Sequence, residues 1–186
     1  QQRAVEEAFI FVQKKVVATR RGHGGSIHEN VAGLIGATFE HCSSRDLDPQ
    51  LHTHLLVANV APRLDGSWGT LESKYFYSWQ KAIGAMYRSS LSRGLQELGY
   101  EVEEIANEDH FEIKGIDKKV SEYFSKRKKA ILESMKSLGF DKAASKAGDY
   151  ITLNTRAKKK EIERSVLLAN WKKELESFGH SSEYMS

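Results

Sequence analysis

Apolar residues Val5, Ala8, Phe9, Val12 and Val16 recur every three or four positions between Arg3 and about Ala18, and this period of one buried face predicts a helix. The stretch Arg20-Arg21-Gly22-His23-Gly24-Gly25-Ser26 has no such period. Its glycines and two cations read as a mobile loop able to approach a phosphate backbone, or equally as a solvated turn. Two apolar-rich runs follow, broken at Pro49 and at Pro62-Arg63-Leu64-Asp65-Gly66, and they predict neighbouring antiparallel strands over 32–42 and 51–60. A short third strand is expected over 68–72.

Helical spacing returns with Ala82, Ile83, Met86, Tyr87, Leu91, Leu95 and Leu98, giving a helix over 77–98 that stops at Gly99. The segments 100–106 and 110–116 flank Asn107-Glu108-Asp109 and read as a hairpin. Past Ile116 the texture becomes helical: 118–138 ending at Gly139, a short segment over 142–147, and 158–178 ending at Gly179. The expected organisation is one domain over 1–186. Its sheet-and-helix part is 1–116 and its helical, basic extension 117–186.

At 186 residues and 40% apolar, the chain can bury one core. With 28 cations against 25 acids, total charge does not announce a nucleic-acid binder, and any basic patch must be local. The extension supplies one, because Lys126, Arg127, Lys128, Lys129, Arg156, Lys158, Lys159 and Lys160 all fall there. Such runs often form solvated helix faces, yet Tyr123, Phe124 and Trp171 are interleaved with them as candidate base-stacking rings. The single cysteine, Cys42, excludes an intrachain disulfide and suits a reducing cytoplasm. No apolar run approaches the ~20 residues of a bilayer-spanning helix, so no membrane insertion is expected.

Three of the seven histidines lie between Thr38 and Asn59. On a strand His52 and His54 share a face, with Thr53 turned away. His41 ends the preceding strand, and the connection bent at Pro49 can return it beside that pair. Three neutral imidazoles on one face make a divalent-metal site with open positions, suited to polarising a phosphate oxygen. Histidines also sit at sheet ends bonded to backbone and water, so the pattern alone leaves both uses open. Asp46 and Asp48 read either as acceptors orienting the rings or as acids solvating the loop. Arg45 is the best-placed candidate to clamp a phosphate, since its guanidinium bonds two oxygens at once.

The run His41-Cys-Ser-Ser-Arg45-Asp-Leu-Asp48-Pro49-Gln50-Leu51-His52-Thr53-His54, followed by Asn59, resembles the three-histidine motif of the MobF-type conjugative relaxases, which are HUH endonucleases. Gly99-Tyr100, Phe111-Glu112-Ile113-Lys114-Gly115-Ile116, Phe124-Ser125-Lys126-Arg127, Thr155-Arg156-Ala157-Lys158-Lys159 and Trp171 follow in that family's order. The resemblance implies an α+β fold, an antiparallel sheet packed by helices with a helical fingers extension, HUH relaxase-like and incomplete at its N-terminus. It implies that His41, His52 and His54 hold a divalent metal ion. Magnesium or manganese would serve in cells, and zinc or nickel in vitro. It also places Lys126, Arg127, Arg156 and Lys158, with Arg45, along single-stranded DNA at an origin of transfer.

In the family a tyrosine attacks the scissile phosphate, leaving a 5′ phosphotyrosine and a free 3′ hydroxyl. Those tyrosines precede the histidine motif, so the nucleophile is expected upstream of Gln1, on an N-terminal segment of the same relaxase. This chain alone is expected to bind metal without cutting. Relaxosome accessory proteins are further expected partners, in the bacterial cytoplasm. Two other readings stand beside this one: a relaxase-like module that binds single strands without chemistry, and a three-histidine hydrolase or oxygenase acting on a small molecule in an enclosed pocket.

Overall fold

The computed structural model describes residues 1–105, 110–139 and 162–179. The chain divides into two compact units, Gln1–Glu40 with Thr53–Lys114, and His41–His52 with Gly115–Ser186. In the first, helix α1 (Gln2–Phe11) buries Ala4 and Ala8 and packs against α3 (Gln80–Glu97). Ion pairs Arg3–Glu97 and Arg93–Glu7, each 2.6 Å, pin the two helices along their length. The helical pattern runs on, but not as α-helix: Val12–Val16 form a π turn, closed by Val17 N–H donating to the Val12 carbonyl at 3.1 Å. The predicted helix therefore stops short of Ala18, because Val16 and Val17 turn into the core and Ala18 opens a strand. Val12, Val16, Val17, Ala61 and Leu71 form that core, with Phe11, Leu34, Phe76 and Ile83 packed around it.

Strands β1 (Ala18–Arg21) and β2 (Ile27–Asn30) pair antiparallel around a tight turn at His23–Gly25. Gly22, Gly24 and Gly25 all have positive φ and close a hairpin, so of the two readings open for this stretch the turn forms and not the open loop. Nor is Arg21 extended toward solvent: it pairs with Glu29 at 3.0 Å and Asp65 at 2.6 Å. Next come β3 (Gly36–Ser43) and β4 (Pro49–Val57), then β5 (Val60–Pro62) and β6 (Trp68–Thr70), each consecutive pair forming a two-stranded ribbon. Isolated bridges Thr19–Leu71 and Val31–Arg63 stitch the first and last of these ribbons together.

Arg63 is the polar centre of this unit, only 9% exposed. Its guanidinium donates to Thr19 Oγ1 (3.0 Å) and to the carbonyls of Trp68 (2.8 Å) and Arg20 (2.7 Å), and it faces Glu29 at 3.1 Å. Gly69 makes room for it, since a Cβ there would run into the guanidinium. The expected helix over 77–98 is broken at Trp79 into α2 (Lys74–Ser78) and α3, because the indole turns to meet Phe11 edge-on. Its end is as expected. Gly99 is left-handed, and the N–H groups of Gly99 and Tyr100 donate to the Gln96 and Leu95 carbonyls, the two bonds of a Schellman cap. Strands β7 (Val102–Glu104) and β8 (Phe111–Ile113) form the anticipated hairpin with shorter arms.

The second unit contains α4 (Lys118–Tyr123), α5 (Lys126–Ser137) and α6 (Arg164–Glu176). Asp117 caps α4 through the Lys119 N–H at 2.8 Å. Residues 118–138, expected as one helix, divide at Phe124–Ser125, where Ser125 Oγ donates back to the Ser121 carbonyl. Met135, Leu167 and Trp171 are its most buried apolar side chains among the described residues. No described helix is long and apolar enough to cross a membrane. The segment expected over 142–147 and the first part of that over 158–178 lie outside the described residues.

Candidate metal and nucleic-acid site

β3 and β4 are joined by only five residues, 44–48, so they must run antiparallel, since a parallel pair needs a long crossover. The reversal is stapled by Ser44 N–H to the Asp48 carbonyl (2.9 Å) and by Asp48 N–H to Ser44 Oγ (3.1 Å). Leu47 takes a left-handed φ of 64°, which costs a branched side chain roughly 1–2 kcal/mol.

This turn brings His41 and His52 together, their rings stacked with centroids 5.3 Å apart and planes 23° from parallel. His52 Nδ1 lies 2.9 Å from the Gln50 carbonyl. A carbonyl only accepts, so the neutral ring carries its proton on Nδ1 and its lone pair on Nε2. A backbone carbonyl orienting a ring in this way is the usual outer partner of a metal-bound imidazole. His54 lies two residues further along β4 and is exposed. Strand alternation gives it the same face as His52. Among the described residues no group of three or more His, Cys, Asp or Glu side chains is drawn together as a ready ion cage. The spacing of the His41 and His52 rings matches that of two ligands of one ion, since metal–nitrogen bonds of about 2.1 Å to one tetrahedral centre put ring centroids roughly 5 Å apart.

Asp48 does neither of the things its sequence context suggests. It is 3% exposed, and its Oδ2 accepts the backbone N–H of Lys126 at 2.9 Å, the first residue of α5. Ser125, at the N-cap of that helix, makes no side-chain capping bond, so the carboxylate from the hairpin turn supplies one. The Lys126 ammonium faces Asp48 Oδ1 at 3.3 Å, an ion pair without hydrogen-bond alignment, and lies over the rings of Tyr123 (5.4 Å) and Phe124 (5.9 Å). Lys126 is thus bound into the hairpin turn. Trp171, read as a stacking ring for bases, is 4% exposed and donates its indole N–H to the Leu47 carbonyl at 2.7 Å. It is a core residue. No local pattern signals these two contacts, because each joins residues far apart in sequence.

Arg45 stands exposed at the tip of the turn and Arg127 half-buried at the start of α5. Arg156 and Lys158 lie outside the described residues. Tyr123 packs edge-on against Phe124 and Phe178, and the Tyr75 hydroxyl is 2.9 Å from His28 Nδ1.

The folded chain is an α+β protein of antiparallel ribbons and helices. Residues 1–178 match the family model for the TrwC relaxase, and the chain belongs to that family, the MobF-type conjugative relaxases. It is 36% identical over 155 residues to the multifunctional conjugation protein TraI of Escherichia coli strain K12, covering 78% of this chain and 8% of that protein. Structures of the conjugative relaxase TrwC in complex with oriT DNA superpose with 30% identity over 96% of this chain. The metal-free complex gives a TM-score of 0.86 and the metal-bound complex 0.85. The chain spans 64% and 62% of those two TrwC chains.

Proposed function

We propose that this chain is the metal- and DNA-holding part of a conjugative relaxase that nicks and rejoins single-stranded DNA at an origin of transfer, in the bacterial cytoplasm. The observation that carries the reading is the stacked His41–His52 pair on β3 and β4, with the His52 tautomer fixed by a carbonyl, in a chain of the TrwC relaxase family. His41, His52 and His54 would hold the divalent ion, magnesium or manganese in cells. When bound, that ion withdraws charge from a scissile phosphate oxygen. The chain's own part is to present neutral imidazoles, to fix the pair through a short hairpin, and to grip the strand.

Arg45 at the turn and Arg127, Arg156 and Lys158 in the extension are the phosphate contacts. Lys126 contributes through the turn that it holds. The chain spans 64% and 62% of the two TrwC chains, and the attacking tyrosine is assigned to a part of the relaxase outside it.

Manganese or nickel titrated calorimetrically into the protein should bind once per chain, and His52→Ala should abolish the heat. Single-stranded oligonucleotides carrying an origin should bind with steep salt dependence. Joining the N-terminal segment should produce a covalent tyrosyl adduct. Metal binding undiminished in His52→Ala would sink the assignment of the site. Failure of the joined protein to cut, with metal and strand still bound, would make the chain a binding module.

A further inference from the structure

We infer that Asp48 and Trp171 are positioning residues that hold the His41–His52 pair in register, so that helices α5 and α6 set the affinity of the hairpin for its ion. The inference rests on the reading of that hairpin as a metal site. It starts from a weakness of the ribbon itself. Two strands alone are marginal in water, and a small rotation of the five-residue turn would carry His41, three residues before Ser44, out of stacking distance of His52, four residues after Asp48.

The turn is also strained. Leu47 is the one described non-glycine residue with positive φ. A backbone held there persists only when its surroundings over-determine it, and two bonds from the helices do so. Trp171 takes the Leu47 carbonyl at 2.7 Å, fixing the peptide that follows the strained residue. Asp48, the next residue, accepts the Lys126 N–H at 2.9 Å at the unfilled N-terminus of α5, and its second oxygen faces the Lys126 ammonium. Both anchors are almost wholly buried, so water does not replace either bond when it is lost. Their effect passes through the turn.

The test compares the protein with Asp48→Asn and Trp171→Phe, using manganese or nickel titration calorimetry and the nuclear Overhauser effect between the His41 and His52 ring protons in the metal-free state. Each variant should weaken metal binding about tenfold, the factor expected when the loss of one buried hydrogen bond falls on the geometry that binds the ion. The ring-to-ring signal should fall in parallel, while circular dichroism stays that of a folded chain. The double variant should lose little more than either single one, since both act on one turn.

Leu47→Gly, placed in the Trp171→Phe background, should restore much of the lost affinity, because glycine adopts the left-handed backbone without the indole to hold it. General loss of stability would give no such rescue. Affinity within twofold of the parent in both single variants would overturn the inference. If the parent itself binds no metal, the metal reading fails, and the ring-to-ring signal still decides this one: its persistence in both variants would overturn it. Should Asp48→Asn not fold, Trp171→Phe and its rescue carry the same decision.

Discussion

Arg63 in the first unit and Asp48 in the second are both charges taken almost wholly out of water, at 9% and 3% exposure. Arg63 spends its donors on three separate stretches of chain, with Thr19, Arg20, Glu29, Ser67 and Trp68 as partners. Among the described residues Asp48 has one partner beyond its own turn, Lys126, and its neighbour Leu47 is bonded to Trp171. The first pattern distributes a charge over the ribbons that surround the core. The second ties the loop between His41 and His52 to one helix end. A buried charge with many partners is therefore a stability feature here, whereas one with a single helix terminus as partner is a device for aiming a loop.

Substitutions should separate the two. Arg63→Ala leaves Glu29 without its buried partner and several acceptors unmet, and should cost about 3–5 kcal/mol in urea unfolding, with secondary structure of the first unit lost together. A cost below about 1 kcal/mol would remove the contrast. Asp48→Ala should cost less, about 2 kcal/mol, the worth of hydrogen bonds to one charged group, and should shorten hydrogen-exchange protection at the first turn of α5 before it affects α1 or α3. Equal loss of protection in both units would show that the two charges do the same work.

Arg45→Ala changes a side chain exposed at the tip between the two histidines. It should weaken single-strand binding several-fold and reduce the salt slope by about one, with metal affinity intact. An unchanged slope would move the phosphate contact elsewhere.

The smallest effect is expected at Asp65, where hydrogen bonds from Ser67, then the Arg21 guanidinium, hold the carboxyl well below the usual carboxylate range. A depressed pKa means that its contribution to stability is complete above the ordinary carboxylate pKa of about 4 and is lost as pH falls through the lower folded value. Asp65→Asn should flatten the acid limb of the stability–pH curve slightly, and an unaltered acid limb would show the group to be energetically silent.

Much of the local structure was legible because it is written in short-range pattern. The end of α3 at Gly99 needed only a left-handed residue after an amphipathic run, and the 100–116 hairpin only alternation around polar residues. Misses came where a distant partner overruled the local signal. The helix expected through 118–138 breaks at Phe124–Ser125, where the carboxylate capping α5 comes from residue 48. The helix through 77–98 breaks at Trp79, drawn to Phe11. Trp171 looked like a stacking ring because a tryptophan among lysines does not show which way it faces.

By itself the order of residues determined the chain's family, its mixture of helix and antiparallel strand, and the spacing that lets His41 meet His52, since each of these depends on residue type and separation along one backbone. Tertiary structure alone decided that Arg21 is consumed in ion pairs, that Lys126 is tied to a turn, and that Asp48 and Trp171 anchor the loop between the imidazoles. The reason is that the partner of a buried polar group is chosen by which distant donors the packing brings within reach, and separation along the chain carries no record of that distance.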